Sequence, residues 1–248
     1  ANCGGLLTPL GDPPLFMMYL RGAPFEWFLK LIPEWFLTNF LLLFIYFIFD
    51  SYYYKKEDPK DIKIDKTSVR PIKIEGKLNF VWLIGVVLSV AFLNEQYFSF
   101  IKLNHYYKFI REAAIFAMAV LSLLFTTSIT RTSNNFTWEP IKEVAYLFLG
   151  IFITMVPCLL YLETNASKLG VSTTQQFYYF TGLLSSFLDN TPTAVTFHSL
   201  ALGLGIQSPN LVAGIPEELL KAISVGAVFF GSMTYIGNGP NFMVKAVA

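Results

Sequence analysis

Apolar runs of about 20 residues, the length a helix needs to cross about 30 Å of hydrocarbon, dominate the pattern along this chain. Four stand out: Pro33 to Phe49, Leu78 to Leu93, Tyr107 to Thr127 and Pro140 to Leu162. Pro33 falls where a helix start tolerates proline, and Trp27 and Trp35 suit an interfacial aromatic belt. Pro157 is expected to kink the fourth run by removing a backbone donor. Between the first two runs, the stretch from Asp50 to Lys77 carries 8 of the 18 Lys and Arg. The positive-inside rule assigns such a loop to the cytoplasm. Counting crossings then puts residues 21–30, 94–106 and 163–175 outside. A small hairpin over Pro71 to Lys77 is as compatible with that loop as a flexible linker.

After Gln175 the pattern changes. Residues 176–188 hold an apolar run too short to span, Asp189-Asn190-Thr191-Pro192-Thr193 interrupts it, and a second short run follows from Ala194. Two half-spans around a polar, Pro-containing tip predict a re-entrant hairpin, tolerated at membrane depth where its backbone is buried in protein or lines a cavity. Val225 to Ile236 is another short apolar run, halted at Gly237-Asn238-Gly239-Pro240-Asn241.

Residues 5–17 (GLLTPLGDPPLFM) placed over 231–243 (GSMTYIGNGPNFM) give six identities, where chance gives about one. Asp12 then faces Asn238. With four spans and a hairpin between the copies, the two motifs run in opposite directions, an inverted repeat. The predicted fold is therefore an all-α polytopic membrane protein with an inverted repeat, a re-entrant hairpin and broken helices. Its segments are a first broken helix (1–22), an interfacial helix and span (23–50), a cytoplasmic loop (51–77), three scaffold spans (78–163), a re-entrant hairpin (164–206), and an outer segment with the second broken helix (207–248). Because the chain begins and ends inside these motifs, a fragment of a longer protein is expected.

Composition sharpens the picture. Of 248 residues 54% are apolar and only 14% charged, against about 25% charged in a soluble domain. The net charge of +1 and the absence of a basic face set nucleic acid aside as a partner. Two distant cysteines, Cys3 and Cys158, read as small apolar residues. The partners left are the lipid bilayer and a small solute, and a homodimer is compatible with both.

The candidate chemistry lies at the breaks. A Gly-Asp or Gly-Asn break frees backbone carbonyls and half-helix ends near the membrane midplane, where secondary transporters place substrate and ion sites. Gly11 and Asp12 in one copy, with Gly237 and Asn238 in the other, supply such oxygen ligands for a small hard cation such as Na⁺. Thr8, Thr234, Thr191 and Thr193 add hydroxyls, Asn190 and Asn241 carboxamides, and Asp189 a second carboxylate. The proposed Na⁺ ligands are Asp189, Asn190, Asp12 and Asn238, with no organic cofactor. More ordinary roles compete: a helix cap for Asp189, a turn residue for Asp12, and a satisfied structural histidine for His198. An intramembrane aspartyl protease would need Gly where Pro9 stands, with the two Asp residues in the opposite order.

These motifs resemble the ion-transporter superfamily, which includes NhaD-type sodium/proton antiporters, arsenite permeases, and citrate and dicarboxylate transporters. Asn2-Cys-Gly-Gly5 leading into Thr8-Pro-Leu-Gly-Asp-Pro-Pro14 is similar to its first broken helix, Ser185 to Thr193 to its second hairpin, and Thr234 to Asn241 to its second broken helix. The resemblance implies a hairpin before residue 1 and helices after residue 248. Dicarboxylate carriers have Ser-Asn-Thr hairpin tips, and Asp189 here takes the Ser place. The expectation is sodium/proton antiport, with Na⁺ and H⁺ exchanged at carboxylates, in a multi-pass protein of the bacterial inner membrane. The alternative is sodium-coupled citrate or dicarboxylate transport, with Asn190, Thr191 and Asn241 contacting the anion.

Overall fold

Helix satisfies backbone polar groups within a segment, which is the requirement that hydrocarbon imposes, and helix dominates the computed structural model. The structure describes residues 2–58, 60, 62–63, 67, 74–94, 97–98, 101, 105–239 and 241. A 3₁₀ turn (Asn2–Leu7) precedes α1 (Pro13–Leu20), and a second 3₁₀ turn (Phe25–Leu31) leads into α2 (Ile32–Tyr54). Then come α3 (Leu78–Phe92), α4 (Ile110–Phe125), the short α5 (Ser128–Ser133) and α6 (Glu139–Asn165). Helices α7 (Thr174–Phe187) and α8 (Asn190–Leu204) form the expected pair of short arms. They precede a two-residue ladder, β1 (Leu211–Val212) with β2 (Ile215–Pro216), and α9 (Glu217–Gly231). That ladder is a small departure from an all-helical chain. Its turn residues Ala213 and Gly214 have φ of 52° and 80°, the doubly positive pattern of tight hairpins.

Among the described residues, two helical stretches are long and apolar enough to cross a membrane, Phe25–Tyr54 (30 residues) and Ile141–Leu169 (29 residues), and almost none of either is buried. Helices α3 and α4, expected as full spans, have 15 and 16 residues. At 1.5 Å per residue each covers about 23 Å, short of the hydrocarbon thickness. Side chains end them: the Asn94 amide donates to Ala91 O at 2.9 Å beyond α3, and past α4 the Thr126 hydroxyl donates to Asn79 Oδ1 at 2.7 Å. Trp27 also differs from expectation. It is buried, with its indole N–H donating to Glu217 at 3.0 Å. Residues 71–73 of the suggested loop hairpin lie outside the described residues.

The chain divides into two compact units, residues 1–37 with 137–248, and residues 38–136. In the second unit α3 and α4 are antiparallel neighbours, since Asn79 at the start of α3 accepts from Ser122 (2.9 Å) and Thr126 (2.7 Å) at the end of α4. In the first unit α8 is the buried axis, with ten buried residues from Asn190 to Ala201. Helices α1, α6, α7 and α9 pack around it. A capping box at Thr173 and Gln176 starts α7, and Gly205 in the left-handed region (φ 60°) stops α8.

Helices α7 and α9 approach closely through small residues, the device that lets helix backbones meet without relying on water exclusion. A Cβ on Gly182 would lie 2.6 Å from the Phe230 ring, and one on Gly226 would lie 2.7 Å from Tyr178 O. Gly150 within α6 has nothing within 4 Å. Gly226→Ala is therefore expected to lower unfolding stability by about 1–3 kcal/mol through overpacking. Gly150→Ala should raise it by about 0.5–1 kcal/mol through helix propensity alone. Thermal unfolding of the two variants in one detergent checks the opposite signs.

Candidate functional site

Local sequence dictates the first break. Pro13 and Pro14 fill the first helical positions of α1, where a missing N–H costs little. Asp12 stands at the N-cap with extended backbone (φ −154°, ψ 139°) but makes no side-chain cap bond: Pro13 and Pro14 have no amide to offer, and the third helical amide, Leu15 N, turns to the Asp12 carbonyl. That carbonyl accepts from Leu15 N (3.1 Å) and Phe16 N (3.3 Å). The carboxylate, 3% exposed, turns into the protein. Asn190 Nδ2 donates to Oδ2 at 2.8 Å and Asn238 Nδ2 to Oδ1 at 2.7 Å. A simple turn role leaves these two buried bonds unexplained.

The second copy repeats the local geometry. Gly11 N donates to Thr8 O (3.0 Å) and Gly237 N to Thr234 O (3.3 Å), while Leu15 N donates to Asp12 O (3.1 Å) and Asn241 N to Asn238 O (3.0 Å). The paired glycines also touch backbone to backbone in both copies. A Cβ on Gly11 would lie 2.1 Å from Gly5 O, and one on Gly237 would lie 2.8 Å from Gly231 O. At their described positions the two segments thus share turn hydrogen bonds and a glycine contact as well as letters.

The hairpin tip joins the two copies. Asp189 is the N-cap of α8, with Oδ1 accepting from Thr191 N at 2.9 Å and Oδ2 from Gly239 N at 3.1 Å. The cap reading therefore describes Asp189, with a tie to the second break added. Asn190 N donates to Gly237 O at 3.0 Å, so Asn190 touches one break through its backbone and the other through its side chain. Asp12 and Asp189 are close enough for their charges to repel.

The remaining expected ligands take local partners. The Thr191 hydroxyl donates to Asn190 Oδ1 (3.4 Å) and that of Thr193 to Asp189 O (2.9 Å), while Thr234 donates to Ser186 O. Thr8 contributes its carbonyl to the turn. Asn241 Oδ1 accepts from Asn2 Nδ2 at 2.9 Å, and Asn241 Nδ2 donates to Thr234 O at 3.2 Å. Asn2 is buried and ties the chain just ahead of the first copy to Gly231 and Asn241 of the second, a pairing that sequence reading missed. Its signal was a lone carboxamide just ahead of the repeat.

Asn238 carries the chemical opening. An ionised carboxylate only accepts, so Nδ2 must face Asp12 and Oδ1 must turn away. Oδ1 is buried, and it has no hydrogen-bond partner among the described residues. Buried acceptors normally have partners, and an orphaned carboxamide oxygen beside a carboxylate fits a hard cation, which takes oxygen ligands. Among the described residues no three His, Cys, Asp or Glu side chains gather to hold a metal, so the donors here are carboxylate, carboxamide and backbone oxygen. A cavity of about 680 Å³ lies elsewhere in the same unit, lined by Trp27, Lys30, Gln207, Asn210, Glu217 and Lys221 among others. There the Lys30 ammonium, donating to Glu217 at 2.7 Å, holds that carboxyl below its usual range.

Glycine-broken turns meeting a helix-hairpin tip over the buried Asp12 carboxylate, in a chain rich in apolar helices whose family model is one of transport, fit the class of integral membrane transporters of the secondary type. The chain belongs to the family CitMHS_2, described as "Putative citrate transport", whose model matches residues 1–248. Transport, not catalysis, is the function this membership implies. No curated protein and no solved structure matches the chain.

Asp12→Asn keeps the shape of the node but removes one acceptor, so two carboxamide donors compete for a single oxygen. It is expected to lower unfolding stability by about 1–3 kcal/mol, read as a lower Tm of the purified protein. An unchanged or higher Tm would contradict the assigned bonds.

Proposed function

We propose that this chain forms the core of a cation-coupled secondary transporter of citrate or a related dicarboxylate, with Na⁺ as the coupling ion at Asp12, Asn190 and Asn238. The observation that carries the reading is the buried, unpartnered Asn238 Oδ1 beside the Asp12 carboxylate. The family description supports the cargo. On this reading Asp12 supplies the charge that attracts the cation, and Asn190 and Asn238 fix its carboxylate in place. Asp189 positions the hairpin tip, since both of its oxygens accept from backbone amides. The two turns act as halves of an inverted repeat and α7 with α8 as a re-entrant hairpin, in a multi-pass protein of the bacterial inner membrane.

Sodium/proton antiport is the second reading. It is favoured by one specific feature: among the described residues no Lys, Arg or His bonds to Asp12 or Asp189, so the node is net negative and suits a cation cargo. The full-length protein in vesicles separates the two. Labelled citrate should accumulate in proportion to an inward Na⁺ gradient, and Asn238→Ala should weaken the apparent Na⁺ affinity about tenfold or more, the loss of one charge-assisted contact. Sodium-driven pH change without citrate uptake would replace the first reading with the second.

A further inference from the structure

The end of α1, at Arg21, meets the middle of α8, at His198 and Ser199, in a second polar cluster that the cation node does not use. Arg21 Nη1 lies 2.7 Å from His198 Nδ1 and donates to Ser199 Oγ at 3.1 Å. A guanidinium only donates, so His198 Nδ1 is the acceptor and the ring proton sits on Nε2, which donates to Ala213 O at 2.9 Å. His198 and Ser199 are fully buried and Arg21 is half-buried. Both hydrogens of Nη1 are therefore committed to neutral partners.

The arrangement is unusual for a half-buried cation, which is normally paired with an acid. In the same unit Lys30 pairs with Glu217, Lys142 with Glu139 and Lys221 with Glu34. Arg21 feels the charge of Glu163 but forms no ion pair with it. Its Nε and Nη2 have no partner among the described residues. These two nitrogens form one edge of the planar fork, with parallel N–H groups spaced for the two oxygens of a carboxylate. His198 and Ser199 fix the opposite corner, so the open edge is pre-oriented and loses little freedom on binding.

We propose that Arg21 forms a carboxylate-binding subsite that captures the anionic cargo, with His198 and Ser199 as its positioning residues. It rests on the polycarboxylate cargo proposed above. Helices α1 and α8 run in the same direction, joined at their starts by Asp12 and Asn190, and again where Arg21 at the end of α1 meets His198 halfway along α8. Nine residues of chain at 1.5 Å each separate Asp12 from Arg21, about 13 Å. That is further than one small polycarboxylate reaches, so the subsite is distinct from the cation node.

Thermal unfolding of the full-length protein in sodium-free buffer, titrated with citrate or with its uncharged trimethyl ester, tests the subsite without requiring transport. Citrate should raise the Tm of the wild type and the ester should not. Arg21→Lys keeps the charge but loses the fork, and should raise the half-saturating citrate concentration about tenfold. Arg21→Gln should abolish the shift. In vesicles Arg21→Lys should raise the KM for citrate about tenfold with Vmax little changed, whereas a residue that only braces the fold would lower Vmax or yield of folded protein. Equal half-saturation in the wild type and Arg21→Lys overturns the subsite even if citrate is transported. Arg21-dependent citrate binding without uptake keeps the subsite and removes the transport reading.

Discussion

A buried carboxylate has to be answered by donors, and at Asp12 the answer comes from two carboxamides on two different segments. Everything in the first unit that concerns function converges on that choice. A lysine or arginine in the place of Asn190 or Asn238 would neutralise the charge and bury a closed ion pair. Neutral donors hold the carboxylate in position and leave its charge uncompensated. The packing serves this end: α8 is buried because its first residue must reach Asp12, and the glycines of both turns are needed because backbones meet there.

The asymmetry between the two copies follows from the same constraint. Asp12 and Asn238 occupy equivalent places in equivalent turns, and they bond to each other at 2.7 Å. Two aspartates so placed would repel unless one took up a proton, and two asparagines would leave the node without charge. One of each gives an acceptor facing a donor, with a carboxamide oxygen left over. One Asp and one Asn at matching positions thus polarise the pair of turns.

Much of this was legible in the sequence because helix breaks are written in residues with few alternatives. Gly11, Pro13, Pro14 and Gly237 mark the breaks whatever surrounds them, and the spacing of Thr8 from Gly11 recurs at Thr234 and Gly237 as the same turn. Side-chain pairings were less legible. At the start of α8 the hydroxyls of Thr191 and Thr193 donate to the neighbouring Asn190 Oδ1 and Asp189 O, while Thr234, in the turn after α9, reaches across to Ser186 O. The partners of Asn2 and Trp27 were not legible because Asn241 and Glu217 lie 239 and 190 residues away in the chain, and periodicity carries no such information. The bounds of α3 were legible to within one residue, Leu93 against Phe92 at its end, whereas the run expected from Tyr107 opens in a 3₁₀ turn (His105–Phe109) before α4 begins at Ile110.

The electrostatic balance at the node argues for an order of events on the proposed reading. Both α1 and α8 present their N-termini there, at Asp12 and Asp189. Each contributes up to roughly half a positive charge, less for the short α1. Against these stand two carboxylates, leaving the node near one net negative charge. An approaching polycarboxylate is repelled in that state, while a monovalent cation is attracted and brings the balance close to zero. Only then do the two helix ends present a net attraction to an anion's carboxylate. The cation is therefore required before the anion can settle at the node, and coupling arises from charge alone, without a separate gate to enforce it.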